Sequence, residues 1–326
     1  MEFATAHLPN ARDTLWLRRG DDAIDLGAAL GPVGDAPLRD VEALVLAIGE
    51  DPALAARIEG LSGPLTPIST LTFSPPVRRP SKVIGVAFNN KELMKSAHHD
   101  PGVPNFFLKP PSCLVGHGAA IEVNPDWGPT IPEPEICAII GRRVSRISPE
   151  EALDAVFGWT IINDVTSHGL KFGMDSIAVT YAPDLAHPEF YKWRNLQGPE
   201  DRDVFYVYHT RSKGTDTFGP CGPWVTTADG VANPNALSVV ADIDGEVFAR
   251  DNTENYRFKV ETCIAEASRF FTLEPGDMIS FGTTGKGEGR FPRGHKSLLM
   301  NRMTGRIGIS VEGLGRLEND VIHVDR

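Results

Sequence analysis

Two runs of apolar residues, "EICAIIG" (135–141) and "WTIIND" (159–164), constrain this chain more than any other feature. Each is too short for a core helix and reads as a buried strand. Between them lies "SPEEALDAVFG" (148–158), the strongest local helix signal in the sequence. Ser148 is a good N-cap, Pro149 suits the first helical position, and Glu151 stands at N3 to complete a capping box. Gly158 suits a left-handed helix end. The second run then delivers Asp164 at its C-terminal end.

The rest of the chain repeats this pattern of short strands with few helices. "KVIGVAFN", "MISFG", "RIGISV" and "VIHV" read as strands. "NYRFKVETCIAEASRFF" is amphipathic, with Phe258, Ile264, Ala267, Phe270 and Phe271 available for a core face. A small N-terminal unit precedes them. It holds a hairpin turning at Gly20-Asp21 and a helix carrying Leu38, Val41, Leu44, Val45 and Ile48. The proline-rich stretch "GPLTPISTLTFSPPVRRPSK" (63–82) reads as an extended connector. The expected organisation is an α+β fold dominated by a mixed sheet, with a small N-terminal α+β domain (1–75) and a larger domain (76–326).

Two acids stand at the mouth of the first strand, in "IPEPEICAIIG". Residues two apart in a strand point to one side, so Glu133 and Glu135 project together. Pro134 between them cannot donate to a ladder, which places the pair at a strand start or edge. Asp164 is the natural third acid. Three carboxylates suit a hard, oxygen-loving cation, Mg²⁺ or Mn²⁺ rather than Zn²⁺. Spacing alone does not establish this, because a Glu-x-Glu pair at a strand edge is commonly a solvated face.

Charge and cysteines narrow the partners. A net charge of −11 argues against nucleic acid, yet leaves room for a locally positive site that takes a small anion. The four cysteines, Cys113, Cys137, Cys221 and Cys263, are far apart, which fits reduced thiols. No secretory signal or membrane-length apolar run is visible. The expected location is the cytoplasm.

Taken in order, "IGVAFN", "FFLKPPSCLVG", "EPEICAIIGRR", "GWTIINDVT", "RSKGTDTFGPCGPW", "LEPGDMISFGT" and "GLGRLENDV" resemble the fumarylacetoacetate hydrolase family from about residue 82 to the C-terminus. The resemblance implies a mixed β-roll or barrel catalytic domain, a homodimer, and one divalent ion held by Glu133, Glu135 and Asp164. It also implies an active-site lysine, Lys213, and a substrate-binding loop at Gly282 and Thr283, where the family's following proline is replaced by Thr284. Family members mostly cleave carbon–carbon bonds of β-diketo acids, and some decarboxylate or tautomerise oxaloacetate-like acids. A 1,3-dicarbonyl or 2-oxo acid chelates such an ion through two oxygens, and the ion stabilises the enolate. The Lys213 ammonium suits the same developing charge.

The sequence departs from the family in three further places. The family's His-x-x-Glu dyad on a lid helix is absent: Leu93 and Ser96 occupy its positions. His98 and His99 lie near by, and on a helix Glu92 and His99, seven apart, would share a face as a displaced acid–base pair. After Asp164, "NDVTSHGLK" places His168 and Lys171 where family side chains meet substrate. A long insertion (172–209) carries Tyr181, Phe190, Tyr191 and Trp193. Further on, "KGEGRFPRGHK" gathers Lys286, Arg290, Arg293, His295 and Lys296 with one acid, Glu288, a cluster suited to carboxylates. The first expectation is a Mg²⁺- or Mn²⁺-dependent hydrolase of a β-diketo acid of the acylpyruvate or fumarylpyruvate type. The second is decarboxylation or keto–enol tautomerisation of an oxaloacetate-like acid. The third is a ligand-binding member without catalysis.

Overall fold

The computed structural model describes residues 1–31, 37–97, 99–182, 198, 201–283 and 286–325. Strands β1 (Glu2–His7), β2 (Thr14–Arg19) and β3 (Asp22–Asp25) are antiparallel neighbours. The hairpin turns at Gly20-Asp21 as expected, and Gly20 takes the positive φ (65°) that a two-residue turn requires. Asp40 caps the helix Val41–Glu50 by accepting from Ala43 N at 2.9 Å. Leu38 lies before that helix but is buried with it. The proline-rich connector is stitched down rather than free: β4 (Thr66–Pro67) pairs with β3, and β5 (Thr72–Phe73) pairs with β1.

The larger part contributes β6 (Val83–Ala87), β7 (Asn105–Lys109), β8 (Leu114–Val115), β9 (Ile121–Val123) and β10 (Thr130–Ile131). Then come β11 (Pro134–Ile140), β12 (Val156–Asn163), β13 (Thr166–Ser167), β14 (Ser176–Thr180) and β15 (Asp203–Val207). The last are β16 (Gly219–Thr227), β17 (Ser238–Ile243), β18 (Glu246–Asn252), β19 (Met278–Ser280), β20 (Gly305–Val311) and β21 (Gly315–His323). The "VIHV" run is thus the end of one long strand. Twelve strands form an open mixed sheet in the order β4-β3-β2-β1-β16-β12-β11-β19-β6-β7, with β5 and β8 at its side. A second sheet runs β18-β17-β20-β21-β9. The fold is α+β, and its large sheet does not close into a barrel.

Strand β11 shows why its sequence is apolar without alternation. Ile136, Ala138 and Ile140 face a core shared with Val239, Ala241, Ile307 and Ile309 of the second sheet and with the helix Val260–Phe270. Cys137 and Ile139 face a second core with Leu15, Leu17, Leu44, Leu54 and Ile58 of the N-terminal unit. Both faces are covered, so both are apolar. The large sheet therefore runs unbroken across residue 75.

Three local expectations are corrected. The capping box at Ser148 and Glu151 forms, but the helix is only Pro149–Ala152, followed by a 3₁₀ turn to Ala155. Gly158 lies inside β12 and ends no helix. It is glycine because a Cβ there would sit 2.5 Å from the carbonyl oxygen of Thr226 on β16. Phe270 is not core: it is exposed at the end of its helix, while Ile264 and Ala267 are buried. Among the described residues no helix is long and apolar enough to cross a membrane.

Candidate metal and substrate site

Antiparallel pairing of β11 and β12 sets Pro134 opposite Asn163. That register brings the start of one strand to the end of the other, and with them the three acids. Asp164 N donates to the Glu133 carbonyl at 2.9 Å, and Glu133 N donates to Asn163 Oδ1 at 2.9 Å. One carboxylate oxygen from each of Glu133, Glu135 and Asp164 lies within 4.8 Å of the others. Glu135 accepts from Gly282 N at 2.9 Å. Gly282 has φ 103°, a conformation open to glycine and costly for other residues.

Two lysines meet these acids. Lys213, on the helix Thr210–Gly214, donates to Glu133 Oε2 at 2.7 Å and to Asp164 Oδ2. Lys109, the last residue of β7, donates to Asp164 Oδ1 at 2.7 Å and to the carbonyls of Lys213 and Phe218 at 2.6 and 3.0 Å. Phe107, also on β7, lies 4.6 Å from Lys213 Nζ, ring centroid to nitrogen. Its ring occupies the space above Gly85, where a Cβ would come within 2.1 Å of it.

A cavity of about 340 Å³ opens over the acids. Of the residues expected at the site, Glu133, Glu135, Asp164, His168, Lys171, Lys213, Gly282 and Thr283 all line it. Thr283 Oγ1 is buried without a hydrogen-bond partner among the described residues. Lys296 joins the wall, whereas Arg290 turns away to Glu246 (2.6 Å) and Glu288 to Arg250 (2.6 Å). The aromatic insertion residues Phe190, Tyr191 and Trp193 lie outside the described residues, as do His98 and Thr284.

The helical pairing of Glu92 with His99 does not form. The helix that starts at Lys91 ends at Met94, so His99 lies beyond it in a separate loop. The Glu92 carboxylate is bonded to Lys95 at 2.8 Å. Neither residue lines the cavity; Leu93, at one of the family's dyad positions, does. Sequence reasoning also missed Lys109, His209 and Asn89. The Asn89 side chain ties the chain together by donating to the Phe258 and Phe281 carbonyls at 3.0 and 2.9 Å.

Electrostatics follow from burial. Burial, with Asp164 and Glu133 near by, pushes Glu135 up to about 8 against the pull of Lys213. Burial would raise Asp164 as well, but Lys109 and Lys213 outweigh it and hold that carboxyl below its usual range. Burial lowers His168 and Lys171, despite the attraction of Glu133. Three carboxylates thus share two buried ammonium groups, and Glu135 carries the mismatch as a raised proton affinity. A divalent cation bound by oxygen would remove that mismatch. The donor set fits Mg²⁺ or Mn²⁺.

Fold and site together define an α+β protein with a cluster of three carboxylates, suited to a divalent cation, in a cavity that lysines also line. The C-terminal model of fumarylacetoacetate hydrolase matches residues 82–322, and the chain belongs to that family. An uncharacterised protein of Pyrococcus horikoshii is 31% identical over 248 residues, 76% of this chain and 90% of that protein. The mitochondrial oxaloacetate tautomerase FAHD2A of Bos taurus is 30% identical over 260 residues, 79% of this chain and 72% of that one. The crystal structure of maleylpyruvate hydrolase from Sphingobium sp. SYK-6, in complex with manganese(II) ion and pyruvate, matches with a TM-score of 0.70 and 25% identity, covering 100% of both chains.

Proposed function

We propose that this protein is a Mg²⁺- or Mn²⁺-dependent enzyme that forms and stabilises the enolate of a small 2-oxo dicarboxylic acid, and that its reaction is keto–enol tautomerisation of an oxaloacetate-like substrate. The observation that carries this reading is the make-up of the cavity. It joins the acid triad to the cationic groups Lys171, Lys213 and Lys296, while the residues expected to activate water, Glu92 and His99, stay out of it. Tautomerisation needs no water nucleophile. The relation to oxaloacetate tautomerases supports the same choice.

Glu133, Glu135 and Asp164 would hold the ion, which supplies Lewis-acid polarisation of the keto group. Lys213 offers its ammonium to the negative charge that develops on the enolate oxygen. Lys171 and Lys296 suit the carboxylates of the substrate. Thr283 Oγ1, without a partner among the described residues, suits donation to the substrate. Hydrolysis of a β-diketo acid is the second reading, supported by the likeness to maleylpyruvate hydrolase.

Oxaloacetate and a series of acylpyruvates, each incubated with Mn²⁺ and with or without EDTA, separate these reactions. The expected result is metal-dependent interconversion of enol and keto oxaloacetate, followed by ultraviolet absorbance, without release of two acids from acylpyruvates. Turnover that is unaffected by chelation would remove the metal from the mechanism. Stoichiometric acid products from an acylpyruvate would replace tautomerisation by hydrolysis.

A further inference from the structure

His209 immediately precedes the helix that carries Lys213, and the reaction as described gives it no part. Its backbone is left-handed (φ 56°, ψ 8°), a conformation uncommon for residues with a Cβ. In that turn its carbonyl accepts from Lys213 N at 3.1 Å, so the histidine and the lysine are held on one turn, four residues apart. The side chain lines the cavity, and its ring lies 6.1 Å from that of Phe107, the ring that also contacts Lys213. Its Nδ1 is buried and has no hydrogen-bond partner among the described residues. Buried polar atoms are nearly always paired, and an exception calls for an explanation, such as a catalytic role or a bound water or ion. Backbone held in a sparsely populated region points the same way.

We infer that His209 is the base that moves the proton between carbon and oxygen of the 2-oxo acid. The inference rests on the reading above that the site forms an enolate. The neutral imidazole takes one proton from the carbon next to the keto group. The C–H electron pair becomes the C=C bond of the enolate, and the carbonyl π pair moves onto oxygen. The imidazolium then returns the proton to that oxygen, giving the enol, or to carbon, regenerating the keto acid. No oxidant or further reactant is consumed.

The charged surroundings set its protonation state. The groups acting on the ring are Lys171, Lys213, Asp175 and Asp164. Burial first, then the two ammonium groups, lower it to about 4, so it is unprotonated at neutral pH. A substrate carboxylate among those cations would offset their repulsion and raise its basicity as the substrate arrives.

The test reads proton exchange rather than turnover of the natural substrate. Exchange of the pyruvate methyl protons in D₂O is followed by NMR for the Mg²⁺-loaded wild type, His209→Gln and His209→Gly. Oxalate binding to each is measured by calorimetry. Glycine is free of strain in the left-handed region, so the second variant keeps the fold even where glutamine does not. The expected result is an exchange rate lowered by about 100-fold or more, as for loss of a general base, with oxalate bound as tightly as before. Added imidazole should restore exchange to His209→Gly. Undiminished exchange in both variants overturns the assignment, and a matching loss of oxalate binding makes His209 a binding group instead. A wild type that exchanges pyruvate protons but does not tautomerise oxaloacetate sinks the proposed function and leaves His209 as the base. A wild type that exchanges no pyruvate protons overturns the assignment of His209 and leaves the proposed function to the oxaloacetate assay.

Discussion

Glu135 and Lys109 are the buried charged residues of this site with the clearest consequences for stability. Glu135 has a folded pKa of about 8 against an ordinary 4.5, because of burial first and then its acidic neighbours. A raised folded value means that the folded state binds the extra proton between those two limits. The stability it confers is complete below the unfolded pKa and is lost as pH rises through the folded one. The metal-free protein should therefore weaken across that window, by up to about 1.4 kcal/mol per pH unit. Saturating Mg²⁺ replaces the proton and should flatten the trend. Urea melts at two pH values inside the window, with and without the ion, read this directly; a metal-free protein equally stable at both would contradict the account. Lys109 is 2% exposed and bonded to the fully buried Asp164. Removing one partner of a buried pair leaves an uncompensated charge, so Lys109→Met should cost about 3–5 kcal/mol, measured by denaturant unfolding. The three acids and Lys213 were legible in the sequence because family motifs surround them. Lys109 was not, because its meaning comes from a partner 55 residues away, and nothing in "FFLKPP" announces that partner. His209 was equally silent: a lone histidine beside a threonine signals neither a left-handed turn nor a cavity.

At the scale of elements, β11, β12 and the short helix between them set the register that gathers the acids. The capping box was readable because its four residues are contiguous, and it forms as expected, with Ser148 N donating to Glu151 Oε2 at 2.9 Å. Ser148→Ala should cost about 1 kcal/mol, visible as a lowered unfolding midpoint. Gly158 was misread because a glycine after a helix signal looks like a helix end. Its real constraint is the backbone of β16, which comes from a distant part of the chain. Gly158→Ala must push β12 off β16, since the added carbon would stand 2.5 Å from the Thr226 carbonyl oxygen and 2.8 Å from Val225 Cγ1. An overpacking cost of about 1–3 kcal/mol is expected. The displaced strand ends at Asn163, next to Asp164, so Mn²⁺ affinity measured by calorimetry should fall as well. Unchanged affinity in a destabilised variant would show that the site is insulated from the strand that leads to it. The lid helix failed for a related reason. Helical spacing between Glu92 and His99 assumes a continuous helix, and the helix from Lys91 stops at Met94.

At the scale of the molecule, the connector that looked like a domain boundary does not interrupt the sheet. Phe3 on β1 pairs with Val225 on β16, and the N-terminal ammonium donates to Thr227 Oγ1 at 2.7 Å. Thr5 Oγ1 donates to the Pro76 carbonyl at 2.7 Å, tying the connector to β1. Leu15, Leu17, Leu44, Leu54 and Ile58 then cover the face of β11 and β12 formed by Cys137, Ile139 and Ile162. Proline content marked the connector correctly as extended. It could not reveal that the strands on either side are partners, because strand pairing at long range leaves no trace in local composition. The N-terminal unit thereby covers one face of the strands that carry the acids. Residues 76–326 expressed alone would bare an apolar sheet face and one edge of β16, and both favour aggregation. That fragment should be recovered aggregated or without a cooperative melt, as judged by size-exclusion chromatography and circular dichroism. A monodisperse fragment that melts cooperatively and binds Mn²⁺ like the full chain would make residues 1–75 a dispensable domain, and would mean that the core beneath β11 is not needed to hold Glu135 in place.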